Sequence, residues 1–131
     1  MGIDRSEKMI EAARRRNESV NGAGKVDLIR ASFPQLDLGE RHFTNIFAIH
    51  VPLFRNDRAT ALTALERLLA PEGTVYLIGQ PLREDNVEPW VDATVSHFLA
   101  GGFSVLEPRF SGHQPVRTAC VSVMLRGPYP S

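Results

Sequence analysis

The chain opens on Gly2-Ile3-Asp4-Arg5-Ser6-Glu7-Lys8-Met9-Ile10-Glu11-Ala12-Ala13-Arg14. This reads as the last residues of a buried strand, an acidic residue at the strand tip, then an amphipathic helix. Asp4 can cap that helix, with Glu7 three residues later completing a capping-box pattern. Met9, Ile10 and Ala13 recur at helical spacing while charges fill the other face. A strand that feeds straight into a helix commits the chain to an alternating α/β plan.

The rest of the sequence repeats that plan. Asn21-Gly22-Ala23-Gly24 ends the first helix, where glycine suits the left-handed C-terminal position. Val26–Arg30 is a short strand, and a loop from Ala31 to about His42 follows it. Asn45–Val51 is a near-continuous apolar run, as expected of a parallel strand covered on both faces. Asn56-Asp57 offers caps for a helix whose buried stripe is Ala61, Leu62, Leu65, Leu68 and Leu69, stopped by Pro71 and Gly73. Thr74–Ile78 is the next buried strand. A helix from about Asp85 to Ala100 carries Val87, Val91, Val95, Phe98 and Leu99 on one face and ends at Gly101-Gly102. Phe103–Glu107 and Thr118–Leu125 are the last two strands, joined by a link short enough for an antiparallel hairpin. The expected architecture is a Rossmann-like α/β sheet, mostly parallel, with a C-terminal antiparallel hairpin. One domain over residues 1–126 and a loose Pro-rich tail over 127–131 are expected.

Composition narrows the function classes. Fifteen basic and fifteen acidic residues give a formal net charge of zero, which argues against a nucleic-acid binder with a broad basic surface. Arg14-Arg15-Arg16 is the only basic run and reads as a solvated helix end. The lone Cys120 rules out an intramolecular disulfide and suits a reducing cytoplasm. In its alternating apolar stretch it reads as a small core residue. No stretch approaches the ~18 apolar residues of a membrane span. His42, His97 and His113 show no metal-ligand spacing, and no Walker loop, paired catalytic carboxylates or nucleophile elbow is present.

Three segments resemble the class I S-adenosylmethionine-dependent methyltransferases: Gly2 to Asn17, Phe43 to Phe54, and Leu65 through the Pro71-Glu72-Gly73 turn to Leu77. They look like the family's second strand and its following helix, its fourth strand, and the helix, Pro-Gly turn and fifth strand. The resemblance implies that the chain begins one βα unit late, without the first strand and glycine-rich loop that cradle the methionine end of the cofactor. Two acidic positions of the family also differ: Ser32 stands after the third strand, and Thr44 starts the fourth.

The resemblance assigns candidate cofactor-binding residues. Asp4 would bond the ribose hydroxyls, a role compatible with helix capping. Arg5 and Met9 would flank adenine, against the plainer readings of a solvated Arg and a core Met. Ser32 and Phe33 lie where the family grips adenine, although Phe33 beside Pro34 also suits a loop anchor. His50 ends a buried strand, where ligands bind in open α/β sheets, and should be reachable from that edge. Trp90 reads as packing.

Methyl transfer from a sulfonium requires positioning and desolvation more than side-chain chemistry, so no catalytic residue is named. The expected activity is methyl transfer to a small-molecule acceptor in the cytoplasm, with no nucleic-acid or membrane partner, and with S-adenosylmethionine binding weak or lost. The alternative is a non-catalytic scaffold of the same fold. In the family the strand order is three, two, one, four, five, seven, six. Without the first strand, the run Asn45–Val51 would expose an edge. Either Val26–Arg30 closes onto that edge or two chains pair; a homodimer is expected.

Overall fold

A computed structural model describes residues 1–4, 6–16, 28–30, 39–49, 58–79, 87–112 and 118–125; for Asp4, residues 28–30, Ile49 and Arg58 it describes the backbone alone. The chain divides into two compact units, Met1–Gly39 and Glu40–Ser131.

The first unit is a small βαβ arrangement. β1 (Gly2–Asp4) and β2 (Leu28–Arg30) run parallel, with α1 (Glu7–Arg16) between them in sequence. Asp4 stands opposite Arg30 at the C-terminal end of the pair. The capping residue differs from the expectation. Ser6 Oγ accepts the Met9 N–H at 3.3 Å, and the Ser6 carbonyl accepts the Ile10 N–H at 3.1 Å. Ser6 is therefore the N-cap, and Met9 holds the third helical position where a capping box would need Glu or Gln. The apolar stripe of α1 is narrower than its sequence suggests. Ile10 is buried, but Met9 is 57% exposed, so Met9 is not a core residue. Glu7 in the first turn and Arg14 to Arg16 in the last complement the helix dipole.

The second unit holds the larger sheet. Its elements are β3 (Phe43–Ile49), α2 (Arg58–Leu68), β4 (Leu69–Gly79), α3 (Val87–Ala100), β5 (Phe103–Val105), β6 (Arg109–Ser111) and β7 (Thr118–Leu125). The strand order is β3-β4-β7-β5, with β6 also on β7. β3 and β4 are parallel; β7 is antiparallel to β4, β5 and β6. β6 was not foreseen, and it lies within the link expected before β7. Between Val105 opposite Val123 and Arg109 opposite Cys120 the edge carries one extra residue, a bulge that contains Pro108. The strand Leu28–Arg30 pairs with β1, not with β3.

Buried and half-buried residues alternate along β4 and β7. Val75 and Leu77 of β4 and Ala119, Val121 and Val123 of β7 are buried. Also buried are Ala61, Ala64, Leu65 and Leu68 of α2, and Val87, Val91 and Phe98 of α3. Phe98 meets Phe103 edge-on, with ring centroids 5.3 Å apart and planes at 82°. Thr94 is buried too, and its hydroxyl donates to the Trp90 carbonyl at 2.7 Å, which satisfies it. α3 ends where the Gly101 N–H reaches the His97 carbonyl and Gly102 takes φ +88°.

Three expectations change here. Leu69 is buried as the first residue of β4, not as part of the helical stripe, because the helix stops at Leu68. Register explains the Pro71-Glu72-Gly73 turn: Phe43 pairs Leu69 but Asn45 pairs Thr74, so β4 bulges between them. A Cβ on Gly73 would lie 2.5 Å from Leu69 Cδ1 and 2.9 Å from the Phe43 carbonyl oxygen, so only glycine lets the bulge close. Cys120 is half-buried on the face opposite the core, 3.9 Å from Ser122 Oγ. Finally, β3 is not covered on both faces, since Phe47 is 64% exposed.

Candidate cofactor site

Ligands of open α/β sheets collect beyond the C-terminal ends of the parallel strands, where loops leave the sheet and helix N-termini point. In the first unit that edge is Asp4, the last residue of β1, followed two residues later by Ser6, the N-cap of α1. Met9 stands exposed on the first turns of α1, so packing does not account for it. Arg5, Ser32, Phe33 and His50 lie outside the described residues. Of the six candidates, the structure thus places Asp4 and Met9 within one βα segment.

In the second unit the corresponding edge runs past Ile49 and Gly79. Here Trp90 sits directly on the strand: a Cβ on Gly79 would lie 2.7 Å from Cε2 and Cζ2 of its indole. Trp90 therefore packs against backbone, as expected, and closes the covered side of β4 at its tip. On the opposite side Phe47 and Tyr76 stack, centroids 4.9 Å apart and planes at 14°. Sequence reading missed this pair. The sequence carried no signal for it, because Phe47 and Tyr76 become cross-strand neighbours only once the β3–β4 register is known.

A cavity of about 520 Å³ lies elsewhere. It is an open groove between α3 and the β5–β6 edge, lined by Asp92, Val95, Leu99, Val105, Leu106 and Glu107 among others. It flanks the antiparallel end of the sheet, so it is not the cofactor site that the strand tips define. Among the described residues no group of three or more His, Cys, Asp or Glu could hold a metal ion, and no helix is long and apolar enough to cross a membrane.

An acid-tipped parallel strand running into a helix, in a chain whose second sheet ends in antiparallel strands, defines a Rossmann-like methyltransferase fold. The chain belongs to the methyltransferase-domain family, whose sequence profile matches residues 1–77, and it is a class I S-adenosylmethionine-dependent member. Solved structures agree on the fold. The [4+2]-cyclase SpnF superposes with a TM-score of 0.73 at 13% identity, over 95% of this chain and 65% of its own. The glycopeptide N-methyltransferase MtfA, complexed with S-adenosylmethionine, gives 0.72 at 13% identity, over 95% and 71%. A methyltransferase from Thiobacillus denitrificans with S-adenosylhomocysteine gives 0.66 at 15% identity, over 95% and 75%. This chain thus spans roughly two thirds to three quarters of those three proteins' lengths. No curated protein sequence matches it.

Proposed function

We propose that this chain carries the ribose-binding half of an S-adenosylmethionine site and serves methyl transfer to a small-molecule acceptor. The observation that carries the reading is Asp4 at the tip of β1, with helix capping taken over by Ser6. A carboxylate at a parallel strand tip accepts two hydroxyls of a ribose through charge-assisted bonds. Exposed Met9 offers a soft apolar surface one turn further on. Arg5, Ser32 and Phe33 would complete the adenine contacts, and His50 would face the acceptor side. When bound, S-adenosylmethionine supplies an electrophilic methyl on a good leaving group. The protein's part is to align donor and acceptor and to exclude water.

Affinity in the isolated chain is expected to be low. Among the described residues, β1 and β2 form a two-stranded sheet of their own. That same split favours a second reading, a non-catalytic scaffold that keeps the fold. The cyclase among the structural neighbours is a reminder that fold alone does not set the reaction.

Titration calorimetry with S-adenosylmethionine and S-adenosylhomocysteine decides between them. The methyltransferase reading expects binding weaker than micromolar, lost by about tenfold or more in Asp4→Ala. No heat at any concentration, or binding that Asp4→Ala leaves unchanged, overturns the role of Asp4.

A further inference from the structure

The groove of about 520 Å³ between α3 and the β5–β6 edge has two anchored walls. Val95 and Leu99, four residues apart, lie on one face of α3, and Val91 and Phe98 bury that helix in the core. The second wall is Val105 and Leu106, where β5 gives way to the bulge. It is tied to β7, because the Leu106 N–H donates to the Ser122 carbonyl at 2.9 Å. Leu99 is 47% exposed and Leu106 49%, so each wall presents a large apolar side chain that the fold does not cover. The charges of the groove are of one sign. Asp92 of α3 and Glu107 of the bulge line it, and no Lys, Arg or His does so among the described residues. From Val87 to Ala100, α3 carries Glu88 and Asp92 and no Lys or Arg. The nearest cation to Glu107 along the chain is Arg109, which pairs with Cys120. Directly opposed residues share a face of the sheet, and Cys120 lies on the face away from the core, so Arg109 points away from α3. Asp92 and Glu107 are both exposed, and neither makes an ion pair among the described residues.

We propose that this groove binds a small organic cation, an ammonium head on an apolar body. The inference stands apart from the methyl-transfer reading, since it uses no residue of the strand-tip edges. Small-molecule sites run from about 300 to 1,000 Å³ and are lined mainly by apolar side chains, with a few polar groups that set orientation. The groove has that size and that make-up. The apolar body covers Leu99 and Leu106 and releases water from them. Asp92 and Glu107 accept charge-assisted hydrogen bonds from the ammonium, and the apolar walls beside them concentrate their field. An anion meets two carboxylates and no cation there, and a neutral ligand leaves the field unused. A peptide strand is a poor occupant. β5 and β6 are three residues each, and the bulge between them breaks the row of N–H and C=O groups that strand addition requires.

The test follows amide chemical shifts of the full 131-residue chain while phenethylammonium, phenethyl alcohol or phenylacetate is added at low ionic strength. The ammonium should shift Val95, Leu99 and Leu106 saturably and bind at least about threefold tighter than the alcohol. That margin should shrink as salt is raised, and phenylacetate should bind weakest. Asp92→Asn combined with Glu107→Gln should erase the preference for the ammonium and leave alcohol binding as it was. Both residues are exposed, so the fold should hold, and the urea midpoint checks it. Leu106→Ala should weaken the ammonium and the alcohol alike. An ammonium that leaves the groove amides unmoved overturns the proposal. So does an alcohol that binds equally tightly, or an ammonium preference that the double variant retains. Shifts at the same amides on raising the protein concentration alone would mean that a second copy fills the groove, and would overturn it too.

Discussion

The two faces of the five-stranded sheet are made from the same strands yet do different things. One face, with Val75, Leu77, Val121 and Val123, is sealed by α2 and α3. The other, with Phe47, Tyr76, Cys120 and Ser122, is half-open. The difference is not one of hydrophobicity alone, since Phe47 and Tyr76 are as bulky as anything in the core. It lies in which parity of each strand meets a helix. The sealed face specifies the fold, and the open one is left for association or ligand contact.

Mutations on the two faces should therefore separate cleanly. Phe98→Ala should have the largest effect, about 3–5 kcal/mol, because it empties a fully buried site and removes the edge-on contact with Phe103. Leu65→Ala should follow at about 2–5 kcal/mol. Urea melts read both, and a loss under about 0.5 kcal/mol for either would break the claim that this face is sealed. Gly79→Ala drives a methyl into the Trp90 indole and should cost about 1–3 kcal/mol by overpacking. A blunted change in Trp90 fluorescence on unfolding would accompany it. Ser6→Ala should remove about 1 kcal/mol from the first unit, read as loss of helical signal. On the open face Phe47→Ala should cost no more than about 1 kcal/mol, the worth of its stack. A larger loss would mean that the face is covered in solution.

Much of this plan was legible because the longer strands of a covered sheet announce themselves. β3, β4 and β7 are apolar runs punctuated by Gly and Pro, and β7 spans Thr118–Leu125 as read from sequence. What was not legible turned on register and on competition between neighbours. Asp4 and Ser6 are both good caps, two residues apart, and only the hydrogen bond at Met9 separates them. β6 is exposed throughout and is held by pairing to β7 rather than by burial, so it leaves no apolar signature. Phe47 and Cys120 were read as covered because a continuous apolar run carries no mark of which parity meets a helix. At the candidate site the strand-tip carboxylate was readable. The contacts of Arg5, Ser32, Phe33 and His50 depend on loop geometry that periodicity does not encode.

The split between a βαβ unit of three-residue strands and a sheet built on the eleven-residue β4 also sets a hierarchy of local opening. Amide protons at Val75 and Leu77, in a strand flanked by β3 on one side and β7 on the other, can exchange with solvent only when most of the second unit opens. Those of β1 and β2 are held by one short ladder and should exchange orders of magnitude sooner. Asp4 sits on that fast-exchanging ladder. Any ligand that binds there must first hold still a backbone held by a three-residue ladder, so occupancy should appear as slowed exchange at Ile3 and Ile29 well before it registers as a gain in global stability.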